Sequence, residues 1–158
     1  MTTAIYAGSF DPFTYGHLDI VKMGSEVFDK IIIGITYNVS KKGFIPINDR
    51  VKLIKEVVKN IPNVEVCSYN KLTVDFALEY NANVIIRGLR NIADFEYEKE
   101  LAHVNNKLNN GIKTVFFMTK PEHSFISSSA VREVYTYKGN LKEFVPENIE
   151  KYLLEKRV

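Results

Sequence analysis

The sequence predicts one α/β domain: a doubly wound, five-stranded parallel sheet in the order 3-2-1-4-5, with helices on both faces and extra helices at the C-terminal end. Two observations carry this. Five short apolar runs rich in β-branched residues recur along the chain, and segments with helical spacing separate them. The runs read as apolar on both faces, the pattern of parallel strands covered from both sides. A chain of 158 residues can bury one sizeable core. No internal repeat, linker or low-complexity tract divides it, so residues 1–158 are read as a single domain.

The first run, "TAIYA" (3–7), precedes a helix expected over about 16–28, in which Ile20, Gly24, Val27 and Phe28 share a face while Asp19, Lys22 and Glu26 point elsewhere. "KIIIGIT" (30–36) is the second strand. Val51, Ile54, Val58 and Ile61 then repeat the helical pattern, with Asn48 as candidate N-cap and Asp49 in the first turn. "VEVCSY" (64–69) is the third strand, and a short helix follows over about 75–80. "NVIIR" (83–87) is the fourth. Tyr97, Leu101, Val104 and Leu108 stand at i, i+4, i+7 and i+11 and predict a helix over about 92–109, stopped by "NNG". "KTVFFM" (113–118) is the fifth strand. "SSSAVREVYTYK" (127–138) and "PENIEKYLLEKR" (146–157) read as two more helices, the second with Pro146 in its first turn.

Composition narrows the function classes. With 21 basic and 19 acidic residues the formal net charge is +2, which argues against bulk nucleic-acid or membrane-surface binding as the main activity. The one cysteine, Cys67, excludes an internal disulfide and fits a reducing cytoplasm. The N-terminal stretch lacks the basic and apolar regions of a signal peptide, and no apolar run has transmembrane length. No paired cysteines, HExxH or His/Asp/Glu cluster stands at metal-ligand spacing, and no GxSxG elbow suggests a serine nucleophile.

In an open doubly wound sheet, ligands bind beyond the carboxyl ends of the strands, where strand order reverses. Three unusual segments fall there: "GSFDPFTYGH" (8–17) after strand one, "SKKG" (40–43) after strand two and "RGLRN" (87–91) at the end of strand four. The first ends at a helix N-terminus, where free N–H groups and the dipole favour an anion. His17 lies in that first turn, either aimed at a phosphate or acting as a solvated or capping residue. Arg87 and Arg90 have the fork geometry for phosphate, or bridge to carboxylates such as Asp94 or Glu96. "SFISSSAVR" (124–132) offers hydroxyls and N–H groups at another helix start, for phosphate or for ordinary Ser capping. His103, off the apolar stripe of its helix, is expected at an exposed or interface position.

"GSFDPFTYGH" with "ISSSAVR" downstream resembles the paired TxGH/HxGH and ISSTxxR signature of the nucleotidyltransferase superfamily. "SKKGF", "VIIRGLRNIADFEYE" and "VPENI" narrow the resemblance to the bacterial phosphopantetheine adenylyltransferases, from Ala4 to Tyr152. The resemblance implies transfer of AMP from ATP to 4′-phosphopantetheine, giving dephospho-coenzyme A and pyrophosphate. It implies Mg²⁺ held mainly by ATP phosphates and water, a homohexamer, and no nucleic-acid or membrane partner. By motif, His17, Lys41 and Arg90 are the expected catalytic set. Ser9, Phe10, His17, Gly88, Leu89, Arg90, Glu98 and the segment His123, Ser124, Phe125, Ile126, Ser127, Ser128 and Ser129 are expected at ATP. Ser9, Lys41, Thr73 and Arg87 are expected at the acceptor. Three positions depart from the usual pattern: Ala7 replaces a common Pro, Ser9 a common Thr, and His123 a frequent Trp. Another phosphorylated acceptor, such as nicotinate mononucleotide or glycerol 3-phosphate, and a non-catalytic nucleotide sensor are the alternatives.

Overall fold

A computed structural model describes residues 1–157. Strands β1 (Thr3–Gly8), β2 (Lys30–Thr36), β3 (Val64–Tyr69), β4 (Val84–Leu89) and β5 (Lys113–Met118) alternate with helices α1 (Tyr15–Val27), α2 (Ile47–Val58), α3 (Thr73–Glu79) and α4 (Ile92–Leu108). A 3₁₀ turn (Pro121–His123) and helices α5 (Ser128–Thr136) and α6 (Glu147–Lys156) complete the chain. The five strands form one parallel sheet in the order β3-β2-β1-β4-β5, as the sequence predicts. Among the described residues, no helix is long and apolar enough to cross a membrane.

Alternation along the central strands divides the core in two. Ala4 and Tyr6 of β1 and Ile31, Ile33 and Ile35 of β2 join α1, α2, α5 and α6 on one face. Ile5, Ala7 and Ile32 pack with Val74, Phe76 and Ala77 of α3 on the other. Ile31, Ile32, Ile33 and Ile35 are all fully buried, and burying each contributes about 1.5–3 kcal/mol. The double-sided apolar pattern holds in the centre but not at the edges. β3 buries only Val66 and Tyr69, and the interior of β5 is half-exposed.

Several local expectations are corrected. β4 runs on past Arg87, because Gly88 and Leu89 still pair with Phe117 and Met118; Arg87 is therefore inside the strand and Arg90 one residue beyond it. Asn48 does not cap α2. Both α2 and α6 begin directly after a proline, Pro46 and Pro146, without a side-chain cap, since proline's fixed φ already sets the entry. In α1 the buried set is Gly16, Asp19, Ile20, Val21 and Gly24, while Val27 faces solvent. The apolar stripe of α4 is not its core face: Tyr97, Val104 and Leu108 are exposed and the one buried residue is Glu98. The stripe at helical spacing was real, but this helix turns it outward and seats a carboxylate against the sheet.

The chain winds outward from β1 to β3, then returns to place β4 beside β1, with Ala4, Ile5 and Tyr6 facing Val84, Ile85 and Ile86. The carboxyl ends of β1 and β4 thus flank the point where the winding reverses, and the loops carrying the unusual residues converge there.

Candidate active site

Two cavities open at this edge, and Ser9 lines both. The first, of about 240 Å³, is bounded by the β1–α1 loop, the end of β4, α4 and the start of α5. It brings together ten of the expected residues: Ser9, Phe10, His17, Arg87, Gly88, Arg90, Glu98, Ile126, Ser127 and Ser128. The second, of about 560 Å³, lies under the β2–α2 loop and holds Lys41 together with Lys42, Asn38, Asn70 and Lys71. Six expected residues line neither: Leu89, Thr73, His123, Ser124, Phe125 and Ser129. The Thr73 hydroxyl bonds to the Tyr69 hydroxyl at 2.8 Å, and Phe125 lies edge-on to Phe144.

Local sequence fixes His17. Thr14 is the N-cap of α1 and His17 its third residue, so the two form a capping box with histidine in the place usually taken by Glu or Gln. The Thr14 N–H donates to His17 Nδ1 at 3.0 Å, and the His17 N–H donates to the Thr14 hydroxyl at 3.3 Å. The rings of Phe10 and Phe13 stand 5.0 and 5.4 Å from the imidazole. Burial, with the guanidiniums of Arg87 and Arg90 acting in the same direction, pushes the imidazole pKa down to about 3. His17 is therefore neutral, with Nδ1 accepting and the proton on Nε2. Of the roles that the sequence set as alternatives, Nδ1 takes the capping one, and Nε2 has no hydrogen-bond partner among the described residues.

Phe10 carries the loop through a left-handed backbone conformation at φ 46°, unusual for a bulky residue and costing on the order of 1–3 kcal/mol. Packing holds it there. The ring is buried, 5.0 Å from Tyr6 on one side and from His17 on the other.

The arginines are held by carboxylates. Arg87 Nε and Nη2 donate to the two Glu98 oxygens at 2.6 and 2.7 Å, and its Nη1 donates to the Ala7 carbonyl. Desolvation pulls the Arg87 pKa down, but the bonds to Glu98, its charge, and Tyr6 and Tyr69 together outweigh it and leave the guanidinium above its ordinary value. Arg90 makes a similar fork with Asp94 at 3.0 and 3.1 Å, and its own N–H donates to the same carboxylate. Of the bridges the sequence allowed, Asp94 is used. Glu96 is not; it pairs with Lys99 at the surface, and Glu98, two residues on, points inward instead. Gly88 between the arginines has no room for a side chain, since a Cβ would stand 2.9 Å from Ile20.

A second set of residues, which sequence reasoning missed, fixes the loops to one another. Asp11 accepts the N–H groups of Phe44 and Ile45 at 2.7 and 2.8 Å. Arg50, only 5% exposed, donates to the carbonyls of Ile45 and Ser9 at 2.9 and 2.8 Å. The loop that carries Lys41 and the loop that carries Ser9 are thereby one unit. Arg132 donates to the Asp11 carbonyl and Ser128 to the Pro12 carbonyl, both at 2.8 Å, joining α5 to the same loop. Ser127 also caps α5 by accepting the Ala130 N–H at 3.0 Å, so the serine cluster acts as a cap and as a cavity wall together. Only the Thr-x-x-His spacing was open to detection as a capping box. Asp11, Arg50 and Asp19 carry no local signal, because the contacts that matter, Asp11 to Phe44 and Ile45, Arg50 to Ser9 and Asp19 to His123, span 33 to 104 residues.

The cytidylyltransferase-like family profile matches residues 5–134. The chain is 53% identical over 149 residues to the phosphopantetheine adenylyltransferase of Clostridium botulinum (strain Alaska E43 / Type E3), covering 94% of each chain. It is 49% identical over 156 residues to that of Caldanaerobacter subterraneus subsp. tengcongensis, covering 99% of this chain and 98% of the relative. A crystal structure described as a putative nicotinate-nucleotide adenylyltransferase from Vibrio parahaemolyticus superposes with a TM-score of 0.71 over 98% of this chain and 99% of that one. At 16% identity, that likeness speaks for the fold alone. The site geometry and the near-full-length identity agree: this chain is a nucleotidyltransferase and belongs to the phosphopantetheine adenylyltransferase family.

Proposed function

We propose that the protein transfers the adenylyl group of ATP to 4′-phosphopantetheine by direct in-line attack, forming dephospho-coenzyme A and pyrophosphate. The observation that carries this is the meeting of two anion-suited cavities at Ser9, with His17 and the arginines on one side and Lys41 on the other. In this reading the first cavity takes the ATP phosphates, and the second takes the acceptor, which also reaches Arg87 in the first. An oxygen of the acceptor phosphate attacks the α-phosphorus while the bond to the bridging oxygen of the pyrophosphate breaks. That phosphate oxygen is already nucleophilic near neutral pH, so no general base is needed. The barrier lies in bringing two polyanions together and in the charge that develops on the α-phosphate and the leaving group.

Each residue then has a physical task. His17 donates from Nε2 to the phosphates without taking up a proton, since Thr14 keeps Nδ1 as acceptor. Arg90, backed by Asp94, is a pre-aimed cation for the phosphates. Lys41, with no ion-pair partner among the described residues, draws the acceptor phosphate toward Ser9. Arg87 serves the acceptor from the strand end while Glu98 and Ala7 fix its plane. The donor set suits Mg²⁺ carried in by the nucleotide, because the cavity carboxylates Asp94 and Glu98 are both occupied by arginines. Bound there, the ion would screen phosphate charge and hold the triphosphate's shape.

A homohexamer and a cytoplasmic location go with this reading. Support for assembly comes from the exposed apolar residues of α4, Ile92, Tyr97, Val104 and Leu108, beside the half-exposed β5. Support for the location comes from the lone, unpaired Cys67. The test is pyrophosphate release across a panel of phosphorylated acceptors. Release should require both ATP and 4′-phosphopantetheine. Release with nicotinate mononucleotide or glycerol 3-phosphate instead would reassign the acceptor, and ATP binding without release under any condition would leave a nucleotide sensor.

A further inference from the structure

The carboxylate of Asp19 sits on α1 two residues past His17, with its side chain only 6% exposed. A buried carboxylate is costly unless a partner holds it. Among the described residues its one hydrogen-bond partner is His123 Nδ1, at 2.6 Å and 104 positions away. His123 closes the 3₁₀ turn that follows β5, and its ring also stacks on Tyr15, 5.5 Å away and inclined by 17°. Helix α1 therefore grips this one side chain twice, by an edge and by a face.

What the grip holds is a wall of the first cavity. The His123 carbonyl accepts the Ile126 N–H at 3.1 Å, and Ile126, Ser127 and Ser128 line the cavity directly. The far end of this segment is fastened by Ser128 to the Pro12 carbonyl. The near end has no such tie to the loop, and the side-chain hydrogen bond that fastens it to α1 is the one made by His123. We propose that Asp19 and Tyr15 are positioning residues: they lock His123 so that the wall formed by residues 123–128 stands at a fixed distance from the helix carrying His17, and this sets nucleotide affinity. The inference rests on the reading of the first cavity as the ATP site. His123 itself lines neither cavity, so its contribution passes through the wall it anchors.

The test is calorimetric titration of the full chain with Mg–ATP in the absence of acceptor. Asp19→Ala and His123→Ala should each raise the ATP Kd by about tenfold, the loss of one charge-assisted hydrogen bond. The double variant should raise it by about the same factor and not about a hundredfold, because the two residues act as one unit. Asp19→Asn, which keeps an acceptor for Nδ1–H, should recover most of the affinity and also guards against a folding failure of Asp19→Ala. In turnover, Asp19→Ala should raise the KM for ATP and leave the KM for 4′-phosphopantetheine within about twofold. A Kd within twofold of wild type in folded His123→Ala or Asp19→Ala, or additive effects in the double variant, overturns the proposal. Wild-type protein that binds ATP but releases no pyrophosphate overturns the reaction while the Kd pattern still decides this inference. Wild-type protein that does not bind ATP overturns both.

Discussion

The two cavities are built on opposite principles. In the first, every charged group that faces the space is already engaged, Arg87 with Glu98 and Arg90 with Asp94, and the neutral His17 is held by Thr14. In the second, Lys41 and Lys42 stand on the exposed β2–α2 loop, and only the base of that loop is pinned, by Asp11 and Arg50. A site that must hold a triphosphate in one geometry gains from donors oriented in advance, since nothing has to reorganise as charge develops. A site that admits and releases a long substrate gains from exposed cations with no partner of their own, which capture a phosphate and then let it go. Division of labour follows: His17 and Arg90 should carry rate, and Lys41, with Arg87 at the end of β4, should carry acceptor affinity.

The largest expected effect breaks the comparison if it fails. His17→Ala should lower kcat by about 10²–10³, roughly 3–4 kcal/mol, with a much smaller change in ATP affinity measured by direct titration. A variant that keeps most of its kcat reduces His17 to a helix cap. Next, Arg87→Ala should cost about 3 kcal/mol of folding stability in denaturant titration, because it strands Glu98 as a largely buried, unpaired carboxylate. It should also weaken acceptor binding. Equal stability with wild type would show that the Arg87–Glu98 fork is not part of the scaffold. Lys41→Ala is the matching probe of the open side. Its KM for 4′-phosphopantetheine should rise about 10–100-fold, the worth of one hydrogen bond to a charged group, while its ATP Kd stays near wild type. A shift in ATP Kd of the same size would mean that the two cavities are not separate in function.

The smallest effect concerns pH. The folded imidazole of His17 titrates at about 3, far below its ordinary value of 6.5. Between those values the unfolded chain binds a proton that the folded chain refuses. The contribution of His17 therefore destabilises the fold progressively as pH falls from about 6.5 toward 3, and vanishes above that window. Denaturant titration at pH 7 and pH 5 should show this slope in wild type and a shallower one in His17→Asn. Nitrogen chemical shifts should report Nε2–H and a bare Nδ1 at pH 5. A protonated ring there contradicts the neutral donor.

The same contrast explains what could be read from the chain alone. The sheet order, the strands and the cluster of "GSFDPFTYGH", "RGLRN" and "ISSSAVR" were legible, because apolar runs and glycine-rich loops advertise themselves over a few residues. The hidden parts are those whose meaning depends on distant partners. Asp19 looked like a solvated helix residue until His123 arrived from beyond β5. Arg50 has nothing in its local sequence to set it apart on α2, yet it holds the Ser9 carbonyl across 41 positions. In α4 the periodicity was legible but its direction was not, since spacing identifies a face and only the neighbours decide which way that face turns. Glu98, assigned to ATP by motif, is seen to hold Arg87, a relation invisible in either residue's local sequence.

Direct transfer at the Ser9 junction is the central claim, and the stereochemistry at the α-phosphorus tests it. ATP made chiral at that atom with sulfur and an oxygen isotope is turned over with 4′-phosphopantetheine, and the configuration of the dephospho-coenzyme A product is read by phosphorus NMR. A single in-line displacement between the two cavities predicts inversion. Retention would require two displacements through a covalent adenylyl–protein intermediate, and would contradict a site in which His17 acts only by donating a hydrogen bond.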